Sequence, residues 1–202
     1  MIVIIDYKLN NLISIYNSVK NLEKNTIISS NKEDILNASK LILPGVGTYY
    51  EGMKNLKKLD LVDVILKRVE EDKIPILGIC LGMQLLSSNG VEVQESEGLN
   101  LIKGCVKLLP SDDNSILPHV GWNEIFFKKD NNIFNGILNK KDFYFVHSYH
   151  FLPDSQDNIL ASSKHGKEFV SIINKDNIYG FQFHPEKSGK IGLKILENFL
   201  KL

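Results

Sequence analysis

Short apolar segments alternate with amphipathic ones along the first half of the chain. The opening MIVIID is typical of a buried strand, and from Leu12 the apolar positions recur at 12, 15, 16, 19 and 22, which is one face of a helix. NTIISS, KLILPGVG and KIPILGIC are predicted to be further strands, with one or two helices between Met53 and Val69. This alternation predicts parallel strands joined by right-handed crossovers, with both faces of the sheet covered.

The second half of the chain is richer in strand patterns. The predicted strands are GCVKLLP, NEIFF, DFYFVHSYHF, FVSIIN and IYGFQFH. The last segment predicts a helix whose apolar stripe packs in the core, formed by Ile191, Ile195, Leu196, Phe199 and Leu200. We therefore expect an α/β fold of three layers, with a mostly parallel, flavodoxin-like central sheet and antiparallel strands added in the C-terminal half. The length fits a single domain over residues 1–202.

Composition narrows the classes of partner and compartment. The 202 residues are 43% hydrophobic, and 24 Lys and Arg balance 24 Asp and Glu, so no net charge favours nucleic acid or an anionic membrane. The apolar start is too short for a signal peptide, and no segment approaches the length of a membrane span. We expect a cytoplasmic protein whose two cysteines, Cys80 and Cys105, are free thiols, with Cys105 in the core.

The first candidate for chemistry is Cys80, which Gly78 and Gly82 flank symmetrically in ILGICLG. G-x-C-x-G is the thiol version of the nucleophile elbow, a sharp strand-to-helix turn in which small flanking residues let strand and helix approach closely. The turn would place the sulfur at the first turn of a helix, where free backbone N–H groups favour the thiolate. The same spacing also occurs in tight turns where the cysteine only fills space. A nucleophile therefore requires a base and an orienting group elsewhere.

The segment FQFHPEKS offers both groups. Pro185 biases His184 towards an extended conformation, and in an extended segment residues i and i+2 project on the same side. His184 and Glu186 would then face one cleft, with His184 taking the proton of Cys80 and Glu186 orienting the imidazole. The sequence predicts a Cys80–His184–Glu186 triad.

A metal site is the alternative reading of the histidines in VHSYH. His147 and His150 are three residues apart, but on a strand this spacing directs their imidazoles to opposite faces. Neither a Cys-x-x-Cys pair nor an acidic partner accompanies them. We predict no metal and no cofactor.

These motifs carry a family resemblance. GICLGMQ, LPGVG and FQFHPEKS, in this order and spacing, resemble the class I (triad-type) glutamine amidotransferases over nearly the whole chain. IIDY, PHVGWN and FYFVHSYH resemble more narrowly the glutaminase subunits of imidazole glycerol phosphate synthases. The resemblance implies that Cys80 attacks the side-chain amide of L-glutamine to give a γ-glutamyl thioester and ammonia. His184 would protonate the ammonia and then activate the water that releases glutamate.

The resemblance also implies roles for further residues. The oxyanion would be stabilised by backbone N–H groups of Leu81, Val46 and Gly47. The substrate would be held by Gln84, Glu92, Ser148 and Tyr149, with Glu95 and Glu97 as competitors for the acidic position. A docking surface for a synthase would include Trp122, Asn123, Tyr144 and Lys187.

The implied partner is a (β/α)8-barrel cyclase subunit. It would form a heterodimer with this chain, receive ammonia through a channel, and make imidazole glycerol phosphate and AICAR in histidine biosynthesis. Two alternatives stay open: a paralogous subunit that supplies ammonia for amidination of a nucleotide-linked surface sugar, and a non-catalytic scaffold for a synthase. The first loop, DYKLNNL, departs from the family pattern because Lys8 and Asn10 replace glycines. Either this loop takes another shape, or the usual glycines serve docking.

Overall fold

The computed structural model describes residues 1–9, 12–110 and 115–202; Asn10 therefore lies outside the described residues. The α-helices are α1 (Leu12–Leu22), α2 (Lys32–Leu36), α3 (Tyr49–Lys58), α4 (Val62–Leu66, continued by a π-helical turn, Lys67–Glu71), α5 (Leu81–Leu85) and α6 (Gly189–Leu200). The strands are β1 (Ile2–Ile5), β2 (Thr26–Ser29), β3 (Lys40–Gly45), β4 (Ile76–Cys80), β5 (Asn89–Gly90), β6 (Ser96–Glu97), β7 (Gly104–Leu108), β8 (His119–Phe127), β9 (Lys141–His147), β10 (Tyr149–Pro153), β11 (Ile159–His165), β12 (Lys167–Lys175) and β13 (Ile178–Phe181).

Nine of these strands form one mixed sheet in the order β2-β1-β3-β4-β13-β12-β11-β8-β9. The first five are parallel, in the 2-1-3-4-5 arrangement of flavodoxin-like folds with β13 in the fifth position. From β12 onwards the neighbours are antiparallel. The expected parallel sheet with added antiparallel strands is confirmed.

A second sheet, in the order β10-β7-β5-β6, was not predicted. The segment DFYFVHSYHF, predicted as one strand, instead divides at Ser148, because β9 pairs with β8 in the large sheet whereas β10 pairs with β7 in the small one. The Ser148 carbonyl accepts a hydrogen bond from Leu109 N–H at this crossing. The prediction of a single strand was wrong because strand patterns do not encode which distant partner each half will meet.

Helices cover both faces of the large sheet. Apolar side chains of α1 and α6 pack with Ile2 and Ile4 of β1 on one face. On the other face, Val3 and Ile5 pack with side chains of α2 to α5. Alternate side chains of β1 therefore pack in the cores on opposite faces of the sheet, which accounts for the continuous apolar run in MIVIID. The three predicted layers are confirmed. Within the described ranges, no helix is long and apolar enough to cross a membrane.

The parallel part of the sheet brings three chain segments to one edge. The register places Gly45, at the end of β3, beside Cys80, at the end of β4. Phe181, at the end of β13, follows on the other side of β4, three residues before His184. Ligands of open α/β sheets bind at the carboxyl ends of the strands.

Candidate active site

Cys80 occupies a sharp turn between β4 and α5, with a φ of 53° and a ψ of −109°. This left-handed φ is strained for a residue with a side chain and is stabilised by the packing around it. A Cβ on Gly82 would lie 1.7 Å from the Leu43 carbonyl oxygen, and one on Gly78 would lie 2.6 Å from the Gly82 carbonyl oxygen. Both glycines are therefore required by the close approach of strand and helix, and the elbow predicted for G-x-C-x-G is present.

His184 and Glu186 are joined by a hydrogen bond of 2.8 Å between Nδ1 and Oε1, and both side chains are buried. The route to this contact differs from the predicted one. His184 is extended, but Pro185–Lys187 form a 3-10 turn in place of a continued extended segment. Proline is well suited to the start of such a turn because it has no N–H to satisfy there.

Cys80 and His184 are close enough to influence each other electrostatically. Burial by itself lowers the pKa of His184, but the negative charge of ionised Cys80, its hydrogen bond and the Glu186 carboxylate outweigh burial and raise the pKa to about 10. A raised pKa keeps the imidazole protonated at neutral pH. The arrangement can therefore hold a thiolate beside an imidazolium, with Glu186 as its counter-charge.

A cavity of about 260 Å³ opens beside Cys80. Its walls include every residue predicted for the oxyanion and the substrate: Val46, Gly47, Leu81, Gln84, Glu92, Ser148 and Tyr149. His184 and Glu186 line a second, small cavity of about 20 Å³ that shares Val46 with the first. Five separate chain segments thus meet around the sulfur of Cys80.

Gln182 joins this site and was missed in the sequence. Gln84 Nε2 donates to the Tyr149 carbonyl at 2.9 Å and to Gln182 Oε1 at 3.1 Å. Gln182 Nε2 in turn contacts the sulfur of Cys80 at 3.8 Å, and Cys80 Sγ lies 3.6 Å from the Val146 carbonyl oxygen. The available signal was the i, i+2 spacing of Gln182 and His184 at the end of a strand.

Glu92 is the acidic residue at the cavity. Its Oε2 accepts the Tyr49 N–H at the start of α3 at 2.8 Å, and burial raises its pKa. Glu95 and Glu97 lie at a different pocket, and Glu97 is 3.8 Å from Lys57. Of the three acidic candidates, only Glu92 can meet a cation bound beside Cys80.

Of the backbone N–H groups predicted to stabilise the oxyanion, one does not point towards Cys80. Val46 N–H donates to the Leu9 carbonyl at 3.1 Å, so this N–H is engaged away from an oxyanion on the substrate. Lys8, just before Leu9, has a φ of 68°, which glycine adopts readily and other residues only at a cost of about 1–2 kcal/mol. Asp6 supports this conformation by accepting the Lys8 N–H at 3.0 Å and pairing with its ammonium group. Lys8 thus adopts a backbone conformation suited to the usual glycine.

Three of the four predicted docking residues form a strip at the surface in which Tyr144 is half-buried. Trp122, 54% exposed, meets the ring of Tyr144 edge-on at a centroid distance of 5.9 Å, and Lys187 Nζ lies 5.8 Å from the Tyr144 ring. Asn123 differs because alternation along β8 turns it to the opposite face, where its side chain binds His119 and the Lys164 carbonyl. Its side chain therefore lies apart from the strip.

Within the described residues, no group of three or more His, Cys, Asp or Glu could hold a metal ion. His150 is buried, and neither of its ring nitrogens has a hydrogen-bond partner among the described residues. Burial lowers the pKa of His150 to about 4. Cys105 is a half-buried free thiol on β7.

The lowered pKa of His150 predicts acid sensitivity. Above about pH 6.5, neither the folded nor the unfolded state protonates this side chain, so it contributes no pH dependence. Between that pH and about pH 4, the unfolded chain binds the proton and the folded chain does not, so the unfolding free energy falls by about 1.4 kcal/mol per pH unit. Urea unfolding at a series of pH values measures the unfolding free energy of the wild-type chain and of His150→Leu. Over this pH range, the fall in unfolding free energy per pH unit should be smaller in His150→Leu by about 1.4 kcal/mol. Equal slopes in the two proteins would contradict the assignment.

Comparison with known proteins places this geometry in a family. The family model of the class I glutamine amidotransferases matches residues 3–202. The subunit HisH of imidazole glycerol phosphate synthase from Methanocaldococcus jannaschii is 50% identical over 202 residues, covering all of both chains. HisH 1 from Campylobacter jejuni is 45% identical over 202 residues, again covering all of both chains.

Solved structures agree at the level of the fold. A crystal structure of a glutamine amidotransferase has a TM-score of 0.73 and 19% identity, covering 98% of this chain and 97% of that one. The glutaminase domain of Trypanosoma brucei CTPS has a TM-score of 0.63 and 14% identity, covering 99% and 93%. The full-length family match and the full-length relatives together show that this chain belongs to the class I glutamine amidotransferases.

Proposed function

We propose that this chain is the glutaminase subunit of an imidazole glycerol phosphate synthase. In this proposal it hydrolyses L-glutamine and passes ammonia to a (β/α)8-barrel cyclase subunit that makes imidazole glycerol phosphate and AICAR in histidine biosynthesis, in the cytoplasm. The observation that carries the proposal is the cavity beside Cys80, because its walls combine a strained cysteine with the substrate positions of this family. The full-length relatives named HisH support the pathway.

The chemistry begins at Cys80. Its thiolate attacks the side-chain amide carbon of glutamine, the C–N bond breaks, and His184 gives its proton to the departing nitrogen, which leaves as ammonia. His184 then removes a proton from water, the water oxygen attacks the thioester carbon, and the C–S bond breaks to release glutamate and restore the thiolate. Glu186 orients His184 through the hydrogen bond to Nδ1 and stabilises its charge.

Recognition of glutamine would fall to the remaining cavity residues. The Glu92 carboxylate meets the α-ammonium group, and Gln84 with the backbone of Ser148 and Tyr149 holds the rest of the substrate. The Leu81 N–H lies in the first turn of α5, where backbone donors have no partner within the helix, and it stabilises the oxyanion. A second donor, Val46 N–H, requires that its hydrogen bond to Leu9 be broken.

Docking of the cyclase would control this site. In the strip of Trp122, Tyr144 and Lys187, Trp122 and Lys187 are exposed and Tyr144 is half-buried, and the Tyr144 carbonyl accepts the N–H of His184 at 2.9 Å. A partner bound to this strip therefore contacts β9, the strand that positions His184 through this hydrogen bond. Val46, which lines the active-site cavity, is itself 42% exposed and within reach of a partner. We propose that docking turns the Val46 N–H towards the oxyanion and opens a channel for ammonia.

Glutamate release by mixtures of purified proteins tests this function. The chain mixed with a histidine-pathway cyclase should release glutamate faster once the ribonucleotide substrate of the cyclase is added, by about tenfold or more if one oxyanion donor is gained. Trp122→Ala should weaken the stimulation, whereas Leu22→Ala, an exposed apolar change at the C-terminal end of α1, should leave it intact. Stimulation only by a sugar-amidating synthase and its nucleotide sugar would assign the chain to that paralogue. No hydrolysis with either partner would indicate a scaffold.

A further inference from the structure

A chain of hydrogen bonds begins at His147, which lines the glutamine cavity, and has no role in the chemistry described above. His119 Nδ1 and His147 Nε2 are 3.0 Å apart, and both rings are buried. At one end, His147 Nδ1 lies 2.9 Å from the Tyr149 carbonyl oxygen. At the other end, His119 Nε2 lies 2.9 Å from Asn123 Oδ1, and Asn123 Nδ2 donates to the Lys164 carbonyl at 2.7 Å.

The two ends of this chain of hydrogen bonds determine which ring nitrogens carry a proton. Backbone carbonyls only accept hydrogen bonds, so His147 Nδ1 carries a proton and the Asn123 amide turns its nitrogen towards Lys164. Asn123 Oδ1 then faces His119, and His119 Nε2 must carry a proton as well. The contact between the rings needs one further proton. Three protons are required, whereas two neutral imidazoles carry only two.

This chain of hydrogen bonds ends on the wall of the active site. The Tyr149 carbonyl that accepts from His147 also accepts from Gln84, and Val146, just before His147, contacts the sulfur of Cys80 through its carbonyl. We propose that His119 and His147 are positioning residues that share one extra proton, and that this proton completes the chain and fixes the Val146–Tyr149 wall of the glutamine site. The effect on glutamine rests on the proposed function, whereas the shared proton does not.

The groups around His119 and His147 determine how strongly these two rings bind the extra proton. His165 of β11 stacks on His119 at a centroid distance of 4.2 Å, and His150 of β10 is near enough to His147 to influence it. The other surfaces are the rings of Phe145 and Phe169. Burial foremost, with the neighbouring histidines, lowers the pKa of both members, so the extra proton is lost as pH rises. The two inner nitrogens then face each other without a hydrogen, and the link opens.

Nuclear magnetic resonance of the full chain with ¹⁵N-labelled histidine tests the shared proton directly. Burial brings the pKa of His147 to about 3, so the titration must reach acid pH. Between about pH 3 and 8, His119 Nε2 and His147 Nδ1 should stay protonated while the two inner nitrogens lose one proton together as the pH rises. This test needs neither glutamine nor the cyclase. Rings that each hold a single proton over the whole range would overturn the proposal.

The functional part is tested by the pH dependence of glutamine hydrolysis in the complex with the cyclase. Loss of the shared proton should raise KM for glutamine by about 10-fold or more, as expected for the loss of one charge-assisted hydrogen bond, with a smaller change in kcat. Asn123→Leu removes the outer acceptor, so two neutral rings can satisfy every remaining contact. This variant should therefore lose the pH dependence of KM. Glu124→Leu, an exposed change on the same strand, should keep the wild-type profile.

The outcomes separate the two proposals. A shared proton without glutamine hydrolysis at any pH would refute the proposed function but not the proton. Normal hydrolysis with a KM profile unchanged by Asn123→Leu would overturn the positioning role. A shared proton, together with a KM profile flattened by Asn123→Leu and retained in Glu124→Leu, would support both.

Discussion

Cys80→Ala should lose nearly all glutamine hydrolysis and leave the chain folded. The expected loss is roughly 10⁴-fold or more, because without the sulfur no thioester forms and only transition-state binding remains. Alanine keeps a Cβ at the same left-handed φ, so the strain of the elbow is unchanged. The buried cavity left by one sulfur atom is small. Glutamate release in the presence of the cyclase, with a thermal unfolding curve of each protein, measures both statements.

Cys105→Ala is the matched control for this change. Both cysteines are free thiols, but Cys105 lies on β7 in the second sheet, away from the cavity. It should keep full activity. Residual hydrolysis by the Cys80→Ala protein near the wild-type rate would show that another group is the nucleophile.

His184→Gln should lower kcat by about 10²- to 10⁴-fold, the usual contribution of a positioned acid and base. Glutamine can still fill the space but can neither hold the proton for the departing ammonia nor take one from water. Glu186→Gln should lower kcat by less than His184→Gln does. The amide oxygen of Gln can still accept from His184 Nδ1 at the 2.8 Å contact, and only the negative charge of the carboxylate is lost.

Combining the changes tests whether these residues act together. Cys80→Ala with His184→Gln should be no slower than Cys80→Ala alone, since His184 has no function without the sulfur. Single-turnover and steady-state rates of glutamate release would measure this. Losses that multiply in the double variant would contradict a shared mechanism.

The elbow was predictable because its causes are local. Gly78, Cys80 and Gly82 lie within five residues, and α5 excludes a Cβ at Gly78 by its close approach to β4 and at Gly82 by its close approach to β3. The residues predicted to bind substrate were chosen from the family resemblance alone, and the fold places them on the walls of one cavity.

Contacts between distant segments were not predictable. The continuous strand pattern is interrupted at Ser148 because β10 pairs with β7, which lies about forty residues earlier in the sequence. The direction of the Val46 N–H depends on the Leu9 carbonyl, and the role of Asn123 depends on His119. These features arise from tertiary pairing, and no periodicity in the sequence reports them.

The central claim is that Cys80 carries the γ-glutamyl group during turnover. Mass spectrometry of peptides from the acid-quenched complex of this chain with the cyclase, in steady-state turnover with glutamine, tests it most directly. We expect a γ-glutamyl adduct on the peptide containing Cys80, present in Cys105→Ala and absent from Cys80→Ala. A γ-glutamyl adduct on another residue, or hydrolysis that continues in Cys80→Ala, would contradict it.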